Sequence, residues 1–145
     1  MGRRVTYLDA SVIVAILGRE DDSEALLDRL EAAPAPFLVS PPGLFEAVMS
    51  LAAKKARDTG RELDSSLIDQ AQSSVALFAA NIKAREIEIS PAIGRAAIEA
   101  AKRYGRAVGS PAKLNFGDCF AYACAKEHGA VLLYKGNDFA QTDMA

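Results

Sequence analysis

Short apolar runs that stop at a carboxylate, a hydroxyl or a glycine alternate along this chain with longer stretches in which apolar residues recur every three or four positions. That alternation is the signature of strands interleaved with helices. Val5 to Leu8 is β-branched and aromatic and ends at Asp9, after which Ser11 opens the apolar stretch Val12, Ile13, Val14, Ile16 and Leu17. A strand followed by a buried helix is predicted. Beyond Gly18, a helix is expected over 21–33 with Leu26, Leu27 and Leu30 on one side, closed by Pro34 and Pro36. Phe37 to Val39 reads as a second strand. Ser40-Pro41-Pro42 then places a capping hydroxyl before proline, and the helix it starts runs to about Asp58, with Gly60 ending it. Asp64 caps a helix carrying Leu67, Ala71, Val75, Phe78 and Ile82. Glu86 to Ile89 alternates like an edge strand, and Ser90-Pro91 starts a helix with Ile93, Ala97, Ile98 and Ala101. From Lys102 to Lys113 the pattern dissolves into glycine, serine, proline and basic residues. Asn115 caps the apolar helix Phe116 to Glu127, Gly129 closes it, and Ala130 to Tyr134 is the most hydrophobic strand.

Strands alternating with helices imply an α/β fold, a central, mostly parallel sheet of about four or five strands covered by helices. No repeat, low-complexity tract or linker divides the chain, so one domain over residues 1–145 is expected. Composition adds exclusions. Half the residues are hydrophobic and 25% are charged, which rules out a disordered tail or a disulfide miniprotein. A net charge of -2 argues against a protein held on nucleic acid by charge alone, so a polyanion partner needs a local patch or a metal. Cys119 and Cys124 lie on different sides of one helix and read as small buried apolar residues. With His128 the only histidine, nitrogen and sulfur metal sites are not expected. No apolar run is long enough to span a bilayer, so a cytoplasmic protein is expected, and Met1-Gly2 with Thr6 fits only a loose myristoylation pattern.

Open α/β sheets place their chemistry beyond the carboxyl ends of the strands. Asp9 ends the first strand, and Asp138 follows the last in Tyr134-Lys135-Gly136-Asn137-Asp138. Glu46 and Asp118 sit in the opening turns of helices that point to the same edge. Asp118 is the only charge between Asn115 and Ala125, so it is expected to be buried beside something positive. Singly, each acid has an ordinary role: Asp9 as a cap, Asp118 in a capping box, Glu46 on a solvated face, Asp138 in a turn. Together, four carboxylates without nearby basic partners repel one another and raise one another's pKa, which makes sense around a cation. All-oxygen ligation suits Mg²⁺ or Mn²⁺, ions that polarise phosphoryl oxygens and activate water, and so points to phosphodiester hydrolysis.

Tyr7-Leu8-Asp9-Ala10-Ser11-Val12-Ile13, Glu46 after Pro41-Pro42-Gly43, Leu114-Asn115-Phe116-Gly117-Asp118-Cys119 and Leu133-Tyr134-Lys135-Gly136-Asn137-Asp138-Phe139 together resemble a PIN domain of the VapC toxin type. The resemblance spans essentially the whole chain, including Thr142-Asp143 in the tail. It implies a Mg²⁺- or Mn²⁺-dependent endoribonuclease, the toxin of a toxin-antitoxin pair, which forms a homodimer and is neutralised by a VapB-like antitoxin. Asp9, Glu46, Asp118 and Asp138 match the family's acidic quartet, with Asp9 and Asp118 the foremost metal ligands and Glu46 and Asp138 completing the site. Ser11 matches the hydroxyl that orients it. Two alternatives stay open, an aspartyl phosphotransferase or phosphatase, disfavoured because Ser11 stands where a second Asp is usual, and a non-catalytic RNA- or protein-binding module.

Lys102, Arg103, Arg106 and Lys113 form an acid-free basic stretch, a candidate contact for the RNA backbone, with Tyr104 as a possible stacking partner. Lys54, Lys55 and Arg57 form a second candidate for such a contact, against the ordinary reading of basic residues solvated at a helix end. Glu20, Asp21, Asp22 and Glu24 read as a solvated helix start.

Overall fold

In the computed structural model, which describes residues 4–145, four short strands, β1 (Thr6–Leu8), β2 (Phe37–Val39), β3 (Arg85–Glu86) and β4 (Val131–Leu133), form one sheet in the order β3-β2-β1-β4. Every pairing is parallel, with Tyr7 opposite Leu38 on one side and Leu132 on the other. All four carboxyl ends therefore open on one edge. Met1-Gly2, the front of the lipidation pattern, lies outside the described residues.

Among the described residues six helices cover the sheet: α1 (Ala10–Leu17), α2 (Ser23–Ala32), α3 (Pro41–Thr59), α4 (Ser65–Asn81), α5 (Pro91–Tyr104) and α6 (Phe116–Glu127). Because side chains alternate across a strand, Tyr7 and Leu132 enter the core shared with α5 and α6, whereas Leu8 and Leu133 enter the one shared with α1 to α4. Ala47, Ala52 and Ala56 are buried along α3 and let it lie close to its neighbours. Oxygen caps start the helices as expected: Ser40 accepts from the Gly43 N–H, Asp64 from Leu67, Ser90 from Ile93 and Asn115 from Asp118. Gly60 ends α3 in the left-handed conformation, at φ 65°. Cys119 and Cys124 are buried free thiols.

Several boundaries differ from the sequence expectation. The third strand is Arg85–Glu86 rather than 86–89. The Ile87 N–H still reaches the Val39 carbonyl at 2.8 Å, but Ser40 turns β2 into α3 and leaves residues 88 and 89 no ladder partner. Helix α5 continues through Lys102 and Arg103 to Tyr104, where the predicted pattern had dissolved, because the Tyr104 ring packs on Tyr122 at 5.5 Å. A 3₁₀ turn, Arg106–Val108, follows it. Leu27 and Ile98, read as core-facing, are exposed.

Candidate active site

Asp9 leaves β1 with its backbone N–H still donating to the Leu133 carbonyl at 3.0 Å, so the sheet itself fixes where its side chain begins. It is the N-cap of α1, accepting from the Ser11 N–H at 3.1 Å, and it is only 4% exposed. The Ser11 hydroxyl donates to the same carboxylate oxygen, Oδ2, and accepts the Lys135 backbone N–H at 3.1 Å. Ser11 thus ties Asp9 to the chain leaving β4.

The other acids arrive from separate segments. Glu46 comes from the second turn of α3. Asp118 is the third residue of α6 and closes a capping box, its Oδ2 accepting the Asn115 N–H at 3.1 Å while Asn115 Oδ1 accepts the Asp118 N–H at 2.9 Å. Asp138 is exposed in the turn after β4, yet its neighbour Phe139 is fully buried and packs edge-on against Tyr134 at 5.1 Å. That buried ring anchors the loop.

All four carboxylates, with Ser11, line a single cavity of about 260 Å³ at the carboxyl edge of the sheet. Their electrostatics bear the mark of crowding. Burial, then the charges of Asp9, Asp118 and Asp138, push Glu46 up to about 7. Burial also lifts Asp118 to about 6, and Asp9 and Asp138 add to the rise, against the pull of the Asn115 N–H and of Arg106. Asp9 rises above the usual carboxylate range for the same first reason, despite its bonds to Ser11. Asp118 is half-buried rather than enclosed as expected, because the first turn of α6 opens onto the cavity.

Two features went unread in the sequence. Lys135, at the end of β4, lines the cavity and pairs with Glu20, with Asp22 3.6 Å from its ammonium. The acidic run is therefore not merely a solvated helix start, although a lysine directly after the last strand was a usable signal. Gly117 is the second. A Cβ built there would lie 2.6 and 2.7 Å from the Glu46 carboxylate oxygens. The bare Cα of Gly117 is the seat on which that carboxylate rests.

The basic stretch is less unified. Lys102 bonds Glu99 at 2.7 Å, Arg103 donates to the Tyr104 hydroxyl and lies over its ring, and Lys113 is exposed in a left-handed turn. Tyr104 is engaged by Tyr122 and Arg103. Only Arg106 of the four is among the charges that act on a site carboxylate.

Among the described residues no three Asp, Glu, His or Cys side chains are already gathered at metal-binding distance. The donor set nevertheless fits a hard divalent cation, since it is all oxygen and Asp9, Glu46 and Asp118 are ionised only at an electrostatic cost that a cation would relieve.

The chain is similar to known proteins over almost its whole length. A VapC ribonuclease of Rhizobium meliloti is 46% identical over 141 residues, covering 97% of this chain and 99% of the relative. Ribonuclease VapC42 of Mycobacterium tuberculosis is 32% identical over 137 residues, covering 94% and 95%. Among solved structures, the Mycobacterium tuberculosis toxin VapC20, described as cleaving the sarcin-ricin loop, superposes with a TM-score of 0.68 at 16% identity, over 93% of this chain and 92% of that one. A Klebsiella pneumoniae toxin-antitoxin complex gives 0.58 at 18% identity, over 96% and 93%. The model of the PIN domain matches residues 6–144, and with relatives that near over almost its whole length, the chain belongs to the PIN-domain family.

Proposed function

We propose that the protein is a divalent-metal-dependent endoribonuclease, the toxin of a toxin-antitoxin pair. Its near relatives are VapC ribonucleases, and the observation that carries the reading to this chain is its own: four carboxylates from four segments line one cavity, where burial and then neighbouring acids raise the pKa of Asp9, Glu46 and Asp118. Asp9, Glu46, Asp118 and Asp138 would hold the ion. Bound there, Mg²⁺ or Mn²⁺ supplies Lewis-acid polarisation of a phosphodiester and activation of water.

The chain's own contribution is placement. Asp9 and Asp118 are held at their first atoms by helix caps, and Ser11 fixes which Asp9 oxygen faces the cavity. Glu46 rests on Gly117, whose bare Cα leaves room for its carboxylate in the cavity that Asp9 and Asp118 also line. Closure around an ion falls to rotation of these carboxylates.

Purified protein is expected to cleave RNA with Mg²⁺ or Mn²⁺ and to lose this in Asp9→Asn and Asp118→Asn, both of which keep a capping oxygen. Undiminished cleavage by both variants, or no binding of Mn²⁺ at millimolar concentration, overturns the reading and favours a non-catalytic module.

The partner assignment is a VapB-like antitoxin and a second copy of the chain. Its support is apolar surface: Phe116, 77% exposed, and Ile98 flank a cavity of about 850 Å³ between α5 and α6, while Phe45 and Leu77 stand out on α3 and α4. Light scattering on the protein alone and with the antitoxin reads both. No described helix is long and apolar enough to cross a membrane; the cytoplasm is the compartment that follows from the ribonuclease reading.

A further inference from the structure

Beside the acidic cavity, the groove between α1 and α3 continues into a second one with the opposite charge. Along α3, Glu46 and Ser50 line the first cavity and Lys54 the second, while along α1 Val14 lines the first and Gly18 the second. Each step is four residues, one helical turn. The second cavity, about 430 Å³, carries Arg19, Lys54 and Lys55 against the single carboxylate of Asp58. Three cations face one acid.

Two of these cations are uncommitted. Lys54 bonds Asp58 at 3.0 Å and its stem lies across Gly18, where a Cβ would come within 2.9 Å of it, so its position is set. Arg19 and Lys55 are exposed, and among the described residues neither has a carboxylate at ion-pair distance, in contrast to Lys102, Lys126 and Lys135. Arg19 holds a left-handed backbone at φ 54°, a conformation that costs a non-glycine residue energy. It projects the arginine at the turn immediately before Glu20, itself at the rim of the acidic cavity.

We propose that this basic cavity binds a backbone phosphate of the RNA strand, held by Arg19 and Lys55 with Lys54, and so anchors substrate against the repulsion of the acidic site. The proposal rests on the ribonuclease reading. A phosphodiester entering a cavity of four carboxylates is opposed by their charge, and binding energy gained at a remote, non-reacting part of the strand offsets that cost. Glu46 and Lys54 lie eight residues apart on α3, about 12 Å. Stacked nucleotides advance about 3.4 Å each and extended ones more, which puts the anchored phosphate roughly two to four nucleotides from the cut.

The test is Arg19→Ala/Lys55→Ala, which spares the Lys54–Asp58 pair and the Gly18 contact. The substrate is a single-stranded RNA cut by the wild type, in versions carrying one uncharged methylphosphonate at each successive linkage. The wild type is expected to lose about five-fold in kcat/KM with the linkage two to four nucleotides to one side of the cut, and the variant to be insensitive there. On the unmodified strand the variant should show a KM raised by about five-fold, an unchanged kcat, an unchanged Tm, and a salt slope of binding shallower by about 0.7. Those cations also complement the C-terminus of α1, and the Tm separates that role. A variant that keeps the wild-type methylphosphonate profile overturns the subsite while leaving the nuclease standing, as does a profile abolished instead by Lys102→Ala/Lys113→Ala. Failure of the wild type to cleave any RNA with Mg²⁺ or Mn²⁺ overturns both.

Discussion

Ser11 and Lys135 stand 124 positions apart, and the backbone N–H of Lys135 donates to the Ser11 hydroxyl at 3.1 Å while that hydroxyl donates onward to Asp9. One side chain therefore joins the end of β4 to the acid at the end of β1. Ser11→Ala removes both bonds, leaving the Lys135 amide without its partner and Asp9 Oδ2 with the Ser11 backbone N–H alone. Residues that orient metal ligands typically carry 10- to 100-fold in metal affinity or activity. We expect a loss of that order in Mn²⁺ affinity, read by isothermal titration, and about 1 kcal/mol in stability. An affinity equal to the wild type would show that the Asp9 carboxylate needs no such hold.

The raised carboxylates fix the pH dependence of the metal-free fold. Glu46 stands at about 7 and Asp118 at about 6, above ordinary unfolded values near 4, and Asp9 is also raised. A group whose folded pKa is raised stabilises fully below its unfolded pKa and loses that contribution as pH climbs through the folded one. In EDTA, Tm should fall between about pH 4.5 and 7.5. Asp143, held low by Lys126 and Tyr122, acts in the opposite sense, but only where pH drops below the usual carboxylate range. Saturating Mn²⁺ should raise Tm most at the alkaline end, where protons no longer compete for the carboxylates. A metal-free Tm that climbs steadily from pH 5 to 7 contradicts the clustered acids.

The sheet and its carboxyl edge were legible because each device is local. Asp9, Ser40 and Asn115 follow or precede apolar runs at distances that only capping explains, and Pro41 and Pro91 mark helix starts. The acidic quartet was legible because four unneutralised carboxylates fall at element ends. What escaped notice depends on pairs distant in sequence. The packing of Tyr104 on Tyr122 extends α5 beyond its apolar pattern, and Lys135 finds Glu20 across 115 positions. Gly117 beneath Glu46 leaves no periodic trace, since a glycine inside a helix start usually signals only weakness.

Gly117 offers a test of position without removing any acid. Gly117→Ala favours the α6 helix by up to about 1 kcal/mol, and the group it collides with is the movable tip of Glu46, 2.6 to 2.9 Å away. Stability should hold or rise while the carboxylate is pushed from its seat. Misplacement by about 1 Å can cost about 100-fold in rate, so activity should drop about 10- to 100-fold with Tm unchanged or higher. Full activity in a more stable variant would mean that Glu46 does not act from this position.

Neutralising Glu46 should separate function from stability most sharply. Its carboxylate accepts no capping bond, unlike those of Asp9 and Asp118, and both burial and three neighbouring acids oppose its ionisation. Glu46→Gln keeps the shape and removes the charge. At pH 8 in EDTA the variant should be more stable than the wild type, by roughly 1 kcal/mol or about 3 to 4 °C in Tm after allowance for its half-exposed side chain. That advantage should vanish near pH 5, where the wild-type residue is already protonated, and reverse with Mn²⁺, which needs the missing charge. RNA cleavage should fall by at least about 10-fold. A variant less stable than the wild type at pH 8 without metal would place Glu46 in a favourable contact, not in a cluster of repelling charges.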